Sequence, residues 1–176
     1  IDERSFVDTV KTYPLNIEIS STRTYSASPS PMIASTTGSA TMGLNTSIVM
    51  LPEKPMKRRI WDERVGYFVN RFTLFSDKEQ STEKEAFISR YRLVPKNVKE
   101  YAKGKLVEPI KPIVYYIDPA TPKKWVPYLI AGINDWNKAF EAAGFKNAIV
   151  GKEWPNDSNM SLDDARYSVI RYLPAE

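Results

Sequence analysis

The clearest hydrophobic pattern lies in the last third of the chain. Five large apolar residues recur there at steps of four, four, three and four, namely Trp125, Leu129, Ile133, Trp136 and Phe140. This spacing places all five along one side of a helix. The pattern therefore predicts a helix of roughly 20 residues that packs this side on a sheet.

The residues at both ends of this segment predict where the helix begins and ends. Thr121 is a good N-cap, and Pro122 suits the first helical position. Gly144 can adopt the left-handed conformation that follows a helix, which would bring Phe145 against Phe140 in a Schellman motif.

Apolar runs flank the predicted helix. KPIVYYID precedes it, and its central IVYYI is apolar at every position, as in a strand buried on both faces. NAIVGKEW and ARYSVIRYL follow it and predict two more strands. The result is a strand-helix-strand-strand unit, with a right-handed crossover if the strands joined by the helix are parallel.

The first half of the chain alternates apolar and polar residues, which predicts strands. In LNIEISSTRTY, Leu15, Ile17 and Ile19 alternate with polar residues. Met42, Leu44, Ile48 and Met50 share one parity in a second strand, with Gly43 as a candidate bulge. VGYFVNRFTLF and AFISRYRLVP predict a third and a fourth strand. Between the first two strands, SASPSPMIASTTGS predicts a loop.

These patterns predict a mixed α+β protein with two parts. Residues 1–106 form a β-rich accessory region, and residues 107–176 form an incomplete α/β domain. The segment VPKNVKEYAKGKLVEPIKP predicts a linker or a short helix between them.

Composition excludes several kinds of chemistry. The 176 residues include no cysteine and no histidine, and the net charge is +4. The chain therefore has no disulfide, no Ser-His-Asp triad, no histidine general base and no histidine-based zinc site. No apolar run approaches the roughly 20 residues of a membrane span. The start at Ile1 indicates an artificial or processing boundary, so a targeting signal can have been removed.

Two groups of acidic residues are candidates for chemistry. Asp62 and Glu63 are flanked by Arg58, Arg59 and Arg64, and they could form an acid–base pair. We favour a surface ion-pair network or a charged face that packs on a neighbouring domain. The second group could resemble a calcium loop, but its spacing does not match an EF-hand, so we assign turn and cap roles. It comprises Asp157, Asp163 and Asp164.

Some basic and aromatic residues could bind a ligand, but we favour structural roles for them. Lys57, Arg58 and Arg59 near Trp61 could contact phosphates, but the acids that follow argue against a nucleic-acid partner. The aromatic residues of the predicted helix could line a pocket, but at helical spacing we place them in the core. These are Trp125, Trp136 and Phe140; the sequence leaves the role of Trp154 open.

Four stretches together resemble a family of large exported bacterial zinc-dependent metallopeptidases whose catalytic part is related to the metzincins. The stretches are SIVMLPEKPMKRRIWDERVGYF, KPIVYYID, WVPYLIAGINDWNKAFEAAGFKNAIV and ARYSVIRYLP. In that family a β-rich region of unknown function precedes a peptidase domain. The motifs that carry the resemblance are Tyr116 to Asp118, Trp136 with Asn137, and Arg171 with Tyr172.

The resemblance implies a fragment of a peptidase. The family's HExxH zinc helix would lie downstream of Leu173, so no catalytic, cofactor-binding or metal residue can be assigned, and this chain alone is expected to be inactive. The parent would hold zinc and act on a peptide or protein substrate. It would be exported, as a periplasmic, outer-membrane-attached or extracellular protein.

Two further expectations complete the interpretation. Self-association is possible through the C-terminal strand-helix unit, by edge pairing or by exchange of residues 165–173. The alternative function is a non-enzymatic cell-surface binding or adhesion module.

Overall fold

The structure, a computed structural model, describes residues 1–26, 38–75, 77, 80–156 and 159–174. It contains strands and helices together, which confirms the mixed α+β class and the β-rich first half. The strands are β1 (Phe6–Thr12), β2 (Asn16–Ser26), β3 (Ser39–Val49), β4 (Val69–Leu74), β5 (Glu83–Ile88), β6 (Ile113–Ile117), β7 (Ile149–Glu153) and β8 (Ser168–Ile170). The helices are α1 (Val98–Ala102), α2 (Val126–Asp135) and α3 (Asn137–Ala142).

Contacts group these elements into two compact units, each made of separate stretches of chain. The first unit comprises Ile1–Leu51, Val114–Ile133 and Gly151–Glu176. The second comprises Pro52–Ile113 and Asn134–Val150. The predicted division of the sequence at residue 106 stays a prediction.

The N-terminal sheet is antiparallel, with β2 between β1 and β3. Gly43 pairs with Thr22 without any change of register, so the bulge predicted at Gly43 is wrong. The irregularity lies instead in β1, between Val7 and Thr9. The eleven-residue β2–β3 ladder accommodates Gly43 as an ordinary strand residue.

The predicted parity of β2 and β3 is confirmed by their register. Ile17 pairs with Ile48, and Ser21 pairs with Leu44, so the apolar residues of both strands share one face. That face is open to solvent, since Ile48 is 54% exposed. The sequence thus indicates which face is apolar without indicating what covers it.

The second sheet is the antiparallel β4–β5 hairpin, which Ile60 extends through an isolated bridge to Phe87. The sequence predicts the fourth strand at residues 86–95, but β5 ends at Ile88. Beyond it the side chains of Arg90 and Arg92 donate to the backbone carbonyls of Lys57 and Lys54. These side-chain hydrogen bonds hold the stretch after β5 against residues 54–57.

The third sheet has the order β7-β6-β8, and β6 runs parallel to β8. The residues of β6 are all buried or half-buried, and Ile117 is only 1% exposed. Each of the three strands predicted in this part of the chain is present.

The predicted long helix is divided. Its predicted start at Thr121 and Pro122 is wrong, because the N–H of Thr121 donates to the Asp118 carbonyl in a turn that precedes α2. α2 ends at Asp135, and α3 begins at Asn137, whose side-chain amide donates to the Asn134 carbonyl at 3.1 Å. Such a local bond competes with regular helical bonding and marks the interruption.

The predicted helix end is confirmed. Gly144 has a φ of 88°, and its N–H donates to the carbonyl of Glu141. The N–H of Phe145 donates to the carbonyl of Phe140 at 2.9 Å, which completes the Schellman motif. Phe145 then lies in a buried cluster of the second unit with Val107 and Ala148.

Candidate functional site

The residue directly after β6 is a buried carboxylate. Asp118 is 4% exposed, and its Oδ1 accepts the N–H of Ala120 at 2.9 Å. Its Oδ2 accepts Nε of Arg171 at 2.9 Å and the N–H of Tyr172 at 3.3 Å. Since β6 and β8 are parallel, their carboxyl ends meet at one edge of the sheet, and this brings Asp118 to Arg171.

The surroundings of Asp118 favour its charged form. Burial is the largest single influence and acts to raise the pKa of Asp118, but it is outweighed by the three donors. The N–H groups of Ala120 and Tyr172 and the guanidinium of Arg171 together hold this pKa below its usual value. A carboxylate whose lone pairs are taken by three donors is a poor general base, so its role here is to join two strand ends.

Aromatic residues line the same part of the sheet. The rings of Tyr116, Trp154 and Tyr167 contact one another edge to face, with centroid distances of 5.6, 5.9 and 6.0 Å. Such contacts stabilise beyond the area they bury. Trp154, to which the sequence assigns no role, is half-buried in this cluster.

A small cleft of about 190 Å³ opens beside Asp118. Its lining includes Thr121, Lys123, Glu153 and Trp154. Carboxyl ends of parallel strands are the usual place for ligands in open α/β sheets. The cleft is therefore the candidate site of the first unit, although its central carboxylate is already occupied by Arg171.

The Trp-Asn pair of the resemblance has unequal roles. Asn137 donates to the Ile149 carbonyl at 2.8 Å and accepts the N–H of Ala148 at 3.0 Å. Its side chain thus forms the hydrogen bonds to the start of β7 that the backbone of a neighbouring strand would form. Trp136 is 64% exposed, so the prediction that it is buried on the sheet is wrong.

Trp125 is also outside the core, at 52% exposure, while Phe140 is half-buried as predicted for a core residue. The inward side of α2 carries smaller residues instead, with Ile133 at 8% exposure. Gly151 of β7 lies against this side, because a Cβ there would come within 3.1 Å of Ile130 and Ile133.

The acidic loop that could have resembled a calcium site has a structural role. Asp164 is 2% exposed and binds Arg166 through both carboxylate oxygens. Donation by the Arg166 side chain lowers the pKa of Asp164, against the opposing effect of burial. This confirms the turn assignment for the described residues, whereas Asp157 lies outside them.

Asn16 of β2 holds the same loop. Its amide donates to the Asp163 carbonyl at 2.8 Å and accepts the N–H of Ala165 at 2.9 Å. Lys11 forms an ion pair with the Asp163 carboxylate at 2.9 Å. The sequence analysis did not identify Asn16; its place in the alternating polar and apolar pattern gives no signal of this role.

The predicted network around Asp62 is smaller than expected. Arg64 binds both carboxylate oxygens of Asp62, at 2.8 and 2.6 Å. Arg58 lies over the ring of Phe72 at 4.6 Å, and no acid in the described part of the chain pairs with it. Within the described ranges, Arg59 likewise has no ion pair. Arg71, which the sequence analysis did not consider, lies over the Trp61 ring.

The described residues contain neither a metal-binding cluster nor a membrane-spanning helix. No group of three or more Asp, Glu, His or Cys side chains is arranged to hold a metal ion there. In the same ranges, every helix is too short or too polar to cross a bilayer.

The geometry defines a mixed α+β protein in which a parallel strand pair is closed by a buried Asp–Arg contact. A family model described as "Domain of unknown function (DUF5117)" matches residues 1–96. The chain therefore belongs to the DUF5117 family. No curated protein and no solved structure gives a significant match.

Proposed function

We propose that this chain is part of an exported zinc-dependent metallopeptidase, to which it contributes the DUF5117 region and the first strands of the catalytic domain. The parent would hydrolyse peptide bonds with zinc-activated water. Because the chain contains no histidine, the zinc ligands of such an enzyme lie outside these 176 residues. This chain alone would be inactive.

The observation that carries the proposal is the meeting of two motifs that are far apart in sequence. Tyr116 to Asp118 and Arg171 with Tyr172 support the resemblance as sequence patterns. Asp118 binds both Arg171 and the backbone of Tyr172 across 53 and 54 residues. A shared fold requires such motifs to have a joint structural role, and their contact supplies one.

The test uses the complete gene product. Its reading frame is followed beyond codon 176, and the full-length protein is purified and assayed for zinc and for casein cleavage. We expect an HExxH motif, about one zinc per chain and cleavage that a chelator stops. The control is the variant with Gln in place of the Glu of that motif, which should keep zinc and lose activity. A stop codon after Glu176, or a full-length protein without zinc, would overturn the proposal.

A binding or adhesion module is the second candidate. It is favoured by the exposed apolar face of the N-terminal sheet, where Val10 and Ile48 are 56% and 54% exposed. Such a face is typical of a contact surface. The experiment above separates the two functions, because an adhesion module needs neither zinc nor the motif.

Self-association through the C-terminal strand-helix unit also remains a proposal. β8 is an outer strand of its sheet and is only three residues long, so it offers few backbone groups to a second copy. Light scattering over a concentration series, with and without residues 165–176, tests it. A chain that stays monomeric at every concentration would contradict it.

A further inference from the structure

The β4–β5 hairpin carries a cleft of about 710 Å³ that the peptidase proposal does not use. Its volume is within the usual range for ligand sites. The lining that matters here consists of Trp61, Arg71, Thr73, Lys84 and Ala86. All five belong to the second unit, so the cleft can be understood from that unit alone.

Strand register explains how the cleft forms. Arg71 pairs with Ala86, and the N–H of Trp61 donates to the Ala86 carbonyl at 3.0 Å. Trp61, Ala86 and Arg71 therefore lie in one row across three neighbouring segments. Because the middle residue has only a methyl side chain, the Arg71 guanidinium can reach across it towards the Trp61 indole.

The next row adds a second positive charge. Thr73 pairs with Lys84, so Lys84 lies diagonally across the hairpin from Arg71. Diagonal neighbours on an antiparallel pair are about 7–8 Å apart. Glu85 also lines the cleft, but its side chain leaves the opposite face of β5.

Among the described residues, no carboxylate lies within ion-pair distance of Arg71 or Lys84. The Arg71 guanidinium lies 5.6 Å from the centre of the Trp61 ring. Stacking orients a guanidinium and leaves its in-plane N–H groups available to a carboxylate.

We propose that this cleft binds an extended acidic segment of a partner polypeptide, with carboxylates at alternate positions. Alternate side chains of an extended peptide are about 7 Å apart, which matches the separation of Arg71 and Lys84. A planar carboxylate suits the fork of the stacked guanidinium, and a second carboxylate reaches the lysine. The site is independent of zinc and of peptidase activity.

The test is a titration of the purified chain with a fluorescent peptide of alternating Glu and Thr, followed by polarisation. The same peptide with Gln in place of Glu should bind about tenfold more weakly, since both of its ion pairs are lost. Arg71→Gln and Lys84→Gln should each weaken binding of the Glu peptide about fivefold, as expected for exposed ion pairs. Trp61→Phe should weaken it less, because it keeps a ring under Arg71.

Lys99→Gln is the matched control, since Lys99 is an exposed cation of the same unit that does not line the cleft. It should bind like the unmodified chain, and far-UV circular dichroism verifies that each variant is folded. Equal binding of the Glu and Gln peptides would overturn the proposal. So would unchanged affinity of folded Arg71→Gln, or stronger binding of a sulfated polysaccharide than of the Glu peptide.

Discussion

Isoleucine residues in the N-terminal sheet and in strand β6 differ widely in burial. Ile48 in β3 is 54% exposed, while Ile117 in β6 is 1% exposed. Both are isoleucines in well-paired strands. β6 lies between two other strands and carries apolar residues on both faces, whereas β3 is an outer strand with one apolar face. Burial therefore depends on what packs against a strand, in addition to the pattern along it.

The largest expected effect tests this comparison with one kind of substitution. Ile117→Ala should lower the free energy of unfolding by about 4 kcal/mol, because it leaves a cavity in the core. Ile48→Ala should change it by less than about 0.5 kcal/mol. Urea unfolding followed by circular dichroism measures both. Equal losses would mean that the apolar face of β3 is covered in solution.

The next effect concerns the charge at the end of β6. Asp118→Asn should cost about 3 kcal/mol at pH 7, because an amide group replaces the oxygen that accepts from Arg171 and Tyr172. The exposed Asp135→Asn is the control and should be nearly neutral. Unfolding in urea at pH 7 gives both values. A loss as small as that of the control would show that the contact does not stabilise the fold.

Acid should remove the stabilisation that the charged form of Asp118 provides. The pKa values of Asp118 and Asp164 are lower in the folded chain than the unfolded value of about 3.9. Their stabilisation is therefore complete above that value and is lost as the pH falls through the folded pKa values. Unfolding curves between pH 7 and pH 2 should show the unmodified chain losing its advantage over Asp118→Asn below about pH 4. A constant difference would contradict a lowered pKa.

A smaller effect tests packing between α2 and β7. Gly151→Ala should destabilise by about 2 kcal/mol, because its Cβ would meet Ile130 backbone atoms at 3.1 and 3.2 Å. Gly132→Ala in α2 meets nothing within 4 Å and should stabilise by about 0.5–1 kcal/mol. Thermal unfolding of the two variants gives the comparison, and a stabilised Gly151→Ala would contradict the packing.

The smallest expected loss of stability concerns Trp136. Trp136→Ala should cost less than about 1 kcal/mol, since its side chain is largely exposed. Asn137→Ala should cost more, about 2 kcal/mol, because it leaves the N–H of Ala148 and the carbonyl of Ile149 without their partner. Urea unfolding measures both losses of stability. A larger loss for Trp136→Ala than for Asn137→Ala would support the buried helix face that the sequence predicts.

How well a feature can be predicted from the sequence depends on how far apart along the chain the interacting residues are. The helix end at Gly144 depends on residues within one turn, and strand parity depends on alternate residues, so the sequence predicts both correctly. The inward face of α2 depends on what packs against it: Gly151 of β7 lies against Ile133, whereas Trp136 falls after the end of α2 at Asp135. The site at Asp118 requires β6 and β8 to be adjacent, and a single sequence indicates strands more readily than their order.

The contact between Asp118 and Arg171 can form only after both residues have been synthesised. The two residues are 53 positions apart, and chains are synthesised at about 5–20 residues per second. Roughly 3 to 10 seconds therefore pass between the synthesis of the carboxylate and that of its partner. Until β8 has emerged from the ribosome, one edge of β6 is unpaired and Asp118 remains hydrated. Closing this edge is then a late event in the maturation of the nascent chain, and the waiting strand is a natural binding target for chaperones.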